Sequence, residues 1–147
     1  METFDRKREQ QVWQRVNSPP PAPPREGLRV LRRESLVLAG IYRQLISSLN
    51  GKPAEKAAQL YREETATAAV LRGLELLRGE DSGKGRPLPP PGEPTMRLLN
   101  HCYRRTRNCQ AEYTARSLDA DFGGVFRVLA DRAEQQCARI AELMGML

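Results

Sequence analysis

The sequence predicts an all-α protein, a four-helix bundle preceded by a short N-terminal helix. Three observations carry that expectation. Apolar residues recur by threes and fours over long stretches, as an amphipathic helix requires. Nothing alternates at period two, so strands are not expected. Two proline-rich stretches, Ser18–Gly27 and Glu80–Pro94, punctuate the helical pattern. Proline at that density removes backbone donors and favours extended polyproline conformations, so both stretches read as loops.

The elements follow in order. A short helix is expected near residues 3–16. The next, about 27–49, carries Leu31, Glu34, Leu38, Ile41 and Leu45 at helical spacing. Asn50-Gly51 supplies the residues that tolerate a left-handed helix end, and Pro53 suits the first turn of the helix that follows. That helix, about 53–79, carries Leu60, Glu64, Thr67, Leu71 and Leu74, and Gly79 closes it. After the second proline-rich stretch come helices at about 95–117 and 121–145. The last is patterned by Phe126, Leu129, Ala133, Gln136, Ile140 and Met144, with Asp119 or Asp121 placed to cap its start. The chain then divides into an N-terminal helix (1–17), a proline-rich linker (18–26) and a bundle (27–147) whose crossover spans 80–94.

Loop lengths constrain topology. The first and third inter-helix connections within the bundle are a few residues long, which forces antiparallel neighbours. The proline-rich connection is long enough, at about 3 Å per residue, to run the length of a bundle. Two antiparallel hairpins joined by one long crossover is the ferritin-like arrangement.

Bulk properties narrow the function classes. A chain of 147 residues is one domain by length and can bury a sizeable core. No run of about eighteen apolar residues exists, so no membrane span or membrane partner is expected. The opening METFDRKREQQ is charged and lacks the apolar run of a secretory signal. Cys102, Cys109 and Cys137 form no CxxC pair, which argues against a rubredoxin-type or zinc-knuckle site. An odd count in an unexported chain reads as reduced thiols in a cytoplasm. The net charge of +6 suits a polyanion such as nucleic acid. The basic residues, however, are interleaved with acids throughout rather than gathered into a stripe with aromatics. Solvated helix faces are the preferred reading, and a basic nucleic-acid-binding protein is a third-ranked alternative.

The chemistry-bearing stretch is Tyr61-Arg62-Glu63-Glu64-Thr65-Ala66-Thr67. Glu64 and Thr67 stand three apart on one helix face. Carboxylate-bridged di-iron bundles use Glu-x-x-His at this spacing on two of their four helices. Here the histidine position holds Thr, and the chain has a single histidine, His101. Glu34 and Glu112 also fall on or beside apolar stripes, on two other helices. Buried carboxylates are costly unless paired or metal-bound, so three converging acids suggest a site or the remains of one.

Those residues carry a family resemblance. LYREETATAAVLRGLELLRG is similar to the second helix of rubrerythrin-like proteins of the ferritin-like superfamily, where that helix carries Glu-Glu-x-Ala-His. CYRRTRNCQAEYTARSLDADFGGVFRVLADRAEQQC resembles the third and fourth helices of small clostridial-type, bacterial members, and VWQRV resembles their pre-bundle segment. The resemblance matches Glu34 to the first-helix carboxylate, Glu64 to the bridging glutamate and Glu112 to the third-helix carboxylate. Thr67 falls in the histidine place, and Ala133 and Gln136 fall where the fourth helix should supply Glu and His. Six metal ligands are implied and three are present. Glu134-x-x-Cys137 has the spacing of a substitute pair but is one residue out of phase with the apolar stripe.

Three carboxylates with Thr and Gln opposite cannot hold two irons rigidly, because oxygen-activating centres need bridging and terminal carboxylates and usually an imidazole on each metal. No cofactor is therefore expected, with iron or another divalent metal implied only if a variant site functions. A polar network of Glu, Gln and Thr should replace the metals, drawing on Tyr42, Tyr61, Tyr113 or an inward arginine such as Arg105. Glu34, Glu64, Glu112, Thr67 and Gln136 are expected to meet at mid-bundle. The leading functional reading is a bundle that has lost its di-iron centre and acts as a structural or interaction module. The alternative is a peroxidase- or oxidase-type oxidoreductase with a variant carboxylate site, which would need an external electron donor. The resemblance also implies a homodimer. His101 reads as a surface or capping residue, Cys102 and Cys109 as small core residues, and Trp13 as the anchor of the first helix.

Overall fold

The computed structural model describes residues 27–80 and 83–147. The expected helix at 3–16, with Trp13, and the linker at 18–26 lie outside the described residues. Among the described residues there are four helices and no strand: α1 (Leu28–Ser48), α2 (Gly51–Leu77), α3 (Thr95–Arg116) and α4 (Gly123–Gly145). None is long and apolar enough to cross a membrane.

Each helix buries a stripe that advances by alternating steps of three and four. The stripe runs Leu28, Leu31, Ser35, Leu38, Tyr42, Leu45 on α1 and Ala57, Leu60, Glu64, Thr67, Leu71, Leu74 on α2. On α3 it is Leu99, Cys102, Thr106, Cys109, Tyr113, and on α4 it is Phe126, Leu129, Ala133, Gln136, Ile140, Leu143. This spacing keeps one narrow face turned to the bundle axis. Leu60, Leu71, Leu99 and Leu143 are fully buried. Each such leucine is worth about 1.5–3 kcal/mol relative to leaving it exposed.

The apolar residues divide into two clusters that fix the helix directions. One joins the C-terminal half of α1 (Leu38, Tyr42, Leu45) with the N-terminal halves of α2 (Ala57, Leu60) and α3 (Leu98, Leu99, Cys102) and the C-terminal end of α4 (Ile140, Leu143). The other joins Leu28 and Leu31 of α1 with Leu71 and Leu74 of α2, Cys109 and Tyr113 of α3, and Phe126, Leu129 and Ala133 of α4. The order is therefore up, down, down, up. α2 and α3 run parallel, so the connection between them must travel the length of the bundle. α1 packs on α2 and α3 and α4 packs on α3 and α2, which leaves α1–α4 and α2–α3 as the diagonals.

The crossover is laid onto α1. The Leu88 amide donates to the Leu36 carbonyl at 3.1 Å, and Arg32 Nη1 donates to the Gly83 carbonyl at 2.9 Å. Gly40 makes this approach feasible: a Cβ there would lie 1.7 Å from the Leu88 carbonyl oxygen. Gly79, at φ 76°, closes α2 in a Schellman motif, with Glu80 N donating to Glu75 O (2.8 Å) and Gly79 N to Leu76 O (3.0 Å). Neither candidate aspartate caps the last helix itself, whose N-cap is Phe122 with no side-chain bond; Asp119 instead holds the turn that leads into it. Its Oδ1 accepts from the amides of Asp121 (2.9 Å) and Phe122 (3.0 Å), and Oδ2 meets Arg78 of α2 at 2.6 Å.

Candidate functional site: a polar layer at mid-bundle

Between the two apolar clusters every helix presents a polar residue to the axis. Ser35 sits between Leu31 and Leu38, Glu64 and Thr67 between Leu60 and Leu71, Thr106 between Cys102 and Cys109, and Gln136 between Ala133 and Ile140. All five are at most 4% exposed. Their positions follow from the stripes alone: each takes a core slot by phase, and the core is polar there because the sequence puts a polar side chain in that slot.

Glu64 is the centre of this layer. Burial raises its carboxyl pKa from 4.5 to about 8. Ser35 opposes that shift, the neighbouring Glu63 adds to it, and Arg132 and Gln136 oppose it. Ser35 Oγ and Gln136 Nε2 turn towards the carboxyl without reaching full hydrogen-bonding geometry. Glu64 accordingly carries a proton at neutral pH, where it is both donor and acceptor. Tyr42 and Tyr113 share this environment, and burial holds both phenols well above their ordinary pKa. The Tyr42 hydroxyl lies towards Thr106 and Cys102, and Tyr113 lies towards Ser35.

The thiols are equally protonated. Burial pushes Cys102 up to about 12 and Cys109 higher still, and it raises Cys137 as well. A thiol held protonated is a poor nucleophile. All three cysteines are free and buried. The layer can hold and donate protons, but it offers no activated nucleophile.

The structure separates the sequence-predicted site residues. Glu64 and Gln136 meet as expected. Thr67 is buried too, and its hydroxyl accepts from Arg132 Nη1 at 3.1 Å. Glu34 does not face the axis. The α1 stripe passes from Leu31 to Ser35, which leaves Glu34 one step to the side with a third of its side chain exposed. There Arg105 Nη1 bonds both carboxylate oxygens, at 3.0 and 3.1 Å. Arg105 is thus a neutralising arginine, serving Glu34 on the flank. Glu112 is half-buried for the same reason, since Thr106, Cys109 and Tyr113 take the inward phase of α3. Ala133 is buried among the apolar residues of the second cluster. Cys137 is buried but Glu134 is exposed, so Glu134-x-x-Cys137 makes no inward pair. Tyr61 is half-buried on the outer side of α2. His101 contacts Glu93 at 2.8 Å near the start of α3.

A metal centre fits these residues poorly. Glu34, Glu64 and Glu112 all raise the Cys109 pKa, so each lies within electrostatic reach of that thiol. Nonetheless, among the described residues no group of three or more His, Cys, Asp or Glu side chains comes together in a way that could hold a metal ion. Glu34 is already engaged by an arginine, and Glu64 is the layer's one carboxylate.

Two features escaped the sequence. Ser35 takes the inward slot beside Glu34, and Thr106 supplies the layer from α3 nearly two turns before Glu112; the regular three-four alternation would have found both. The second is a buried ion pair three turns along α2 from Glu64, where Arg32 Nε meets Glu75 Oε2 at 3.0 Å. The two side chains are 8% and 2% exposed. No family model, curated protein or solved structure matches this chain.

Proposed function

We propose that the chain is a ferritin-like, rubrerythrin-related bundle that has given up its di-iron centre and works as a non-catalytic structural or interaction module. The observation that carries this reading is the composition of the mid-bundle layer. Di-iron bundles draw a carboxylate from each of four helices and an imidazole from two. Here the five inward residues are Ser35, Glu64, Thr67, Thr106 and Gln136, and the single carboxyl is protonated at neutral pH. The up-down-down-up order with its full-length crossover supports the ferritin-like part. The layer retains a structural task, because a shift of any helix by one turn would bury a polar group against leucine. Three buried free thiols suit a reducing cytoplasm.

The test is metal analysis of the full chain after loading with Fe(II) or Mn(II) and chelator dialysis. Less than a tenth of an equivalent, roughly, should remain, with no optical band on exposure of the iron-loaded protein to oxygen. Retention of a stoichiometric metal would sink the reading. It would favour the oxidoreductase alternative, for which the common reach of Glu34, Glu64 and Glu112 to Cys109 is the supporting observation.

A further inference from the structure

A groove of about 630 Å³ lies outside the bundle axis, along the outer face of the α1–α2 hairpin. It falls within the roughly 300–1,000 Å³ range of small-molecule sites. Its floor is the α2 face bearing Thr65, Ala68, Ala69 and Gly73, where small side chains leave a trough. A Cβ placed on Gly73 would meet nothing within 4 Å. The crossover forms the far wall through Lys84, Gly85 and Pro87, pinned by the bonds of Gly83 to Arg32 and Leu88 to Leu36.

The groove is polarised end to end. Tyr61, Leu36 and Pro87 line one end and make it apolar. Arg72, Lys84 and Arg32 line the other beside Leu76, and none of the described lining residues is acidic. Arg32 is held by Glu75, while Lys84 is exposed and makes no ion pair among the described residues. Tyr61 and Arg72 are eleven residues apart, about 16 Å along a helix. A ligand that matches this has an extended apolar body and one anionic end.

We propose that the groove binds a free unbranched aliphatic carboxylate, its chain laid along the small-residue face of α2 and its headgroup at Lys84. The apolar body removes the trough from water, and the carboxylate gains a charge-assisted contact at the rim. The occupant is a single small acid rather than a bilayer surface, because the crossover residues Lys84, Gly85 and Pro87 wall the trough on its far side and its volume of about 630 Å³ is that of a small-molecule site.

The experiment uses dodecanoate as probe, titrated below its micelle concentration into the full chain, with amide chemical-shift mapping as the readout. Saturable one-site binding is expected, with the shifts concentrated on Thr65, Ala69, Gly73 and Lys84. Dodecanol and dodecyltrimethylammonium should bind at least about tenfold more weakly, since they lack the charge-assisted contact. Ala69→Phe fills the trough from an exposed position and should weaken dodecanoate by about tenfold or more with an unchanged melting curve. Lys84→Glu should weaken it by about threefold to tenfold. The proposal is overturned if dodecanoate does not saturate, if the three headgroups bind alike, if the shifts fall on another face, or if Ala69→Phe binds as the parent does.

Discussion

Helix α2 buries two glutamates on one side, three turns apart, and the bundle treats them in opposite ways. Glu75 faces Arg32 of α1 and is ion-paired at 3.0 Å, with the crossover carbonyl of Gly83 taking a further bond from the same guanidinium. Glu64 faces Ser35 of α1, one turn further along, and no cation bonds its carboxyl. The same side chain on the same helix is thereby a charged partner in one place and a neutral acid in the other. What decides between them is one residue on the facing helix. Burial is nearly equal, at 1% and 3%, so it cannot be the cause.

The largest effect should come from Glu64. Its native pKa of about 8 lies above the ordinary 4.5, so the native state binds this proton more tightly than the unfolded chain does. Stability from that proton is fully present below about pH 4.5 and is lost as the pH rises through about 8. At roughly 1.4 kcal/mol per pH unit of separation, the loss is at most about 5 kcal/mol. Urea unfolding from pH 5 to 8.5 should show stability falling across that window, and Glu64→Gln should flatten the curve. The thiols of the unfolded chain, with an ordinary pKa of 9.0, begin to contribute only at the top of this window, and the phenols, at 10.0, above it. A parent protein equally stable at both ends would break the contrast between the two glutamates.

Next comes the paired site. Arg32→Met strips Glu75 of its ion-pair partner in the interior and should cost about 3–5 kcal/mol. Adding Glu75→Met to it should restore most of that, because a well-packed apolar pair often replaces a buried ion pair without loss. Denaturant midpoints of the single and double variants check this. A single variant as stable as the parent would mean that the Arg32–Glu75 pair contributes nothing net to stability.

The smallest effect concerns the crossover that helps hold Arg32. Gly→Ala inside a helix normally stabilises by about 0.5–1 kcal/mol. At Gly40 the added methyl would collide with the Leu88 carbonyl, so Gly40→Ala should instead cost about 1–3 kcal/mol. It should loosen the strand of chain that meets Arg32 while leaving the Glu64 pH response intact. Thermal melts at pH 5 and 8.5 separate the two outcomes, and a stabilised Gly40→Ala variant would remove the crossover from this account.

The helices were legible because their apolar spacing and their proline and glycine boundaries are local signals. Starts and ends at 28, 48, 95, 116 and 145 fall within one residue of the sequence reading. The Gly51 and Gly79 breaks also appear as residues at positive φ. The candidate site was legible only in part. Glu64 and Gln136 lie on stripes with apolar neighbours on both sides, so their phase was unambiguous. Glu34 stands one residue from the inward Ser35 and Glu112 one residue from the inward Tyr113, and a carboxylate attracts attention that Ser35 and Thr106 do not. Spacings of three and four both suit a helix, so after Leu31 the sequence allowed residue 34 or 35. Packing of α1 against α2 and α3 settles which. The Arg32–Glu75 pair was invisible for a different reason: its partners are forty-three positions apart on different helices.

The length-spanning crossover also determines how the molecule assembles in time. Each hairpin joins neighbours through a short turn and can form from local contacts, whereas the hairpins meet only through the smaller α1–α3 and α2–α4 seams. The connection then acts as a tether, holding one preformed half near the other at an effective concentration on the order of millimolar. It is stiffened by proline and is fastened to α1 at two bonds, so it confines the search as well as shortening it. The chain in this sense resembles a dimer of helical hairpins that has been made permanently unimolecular.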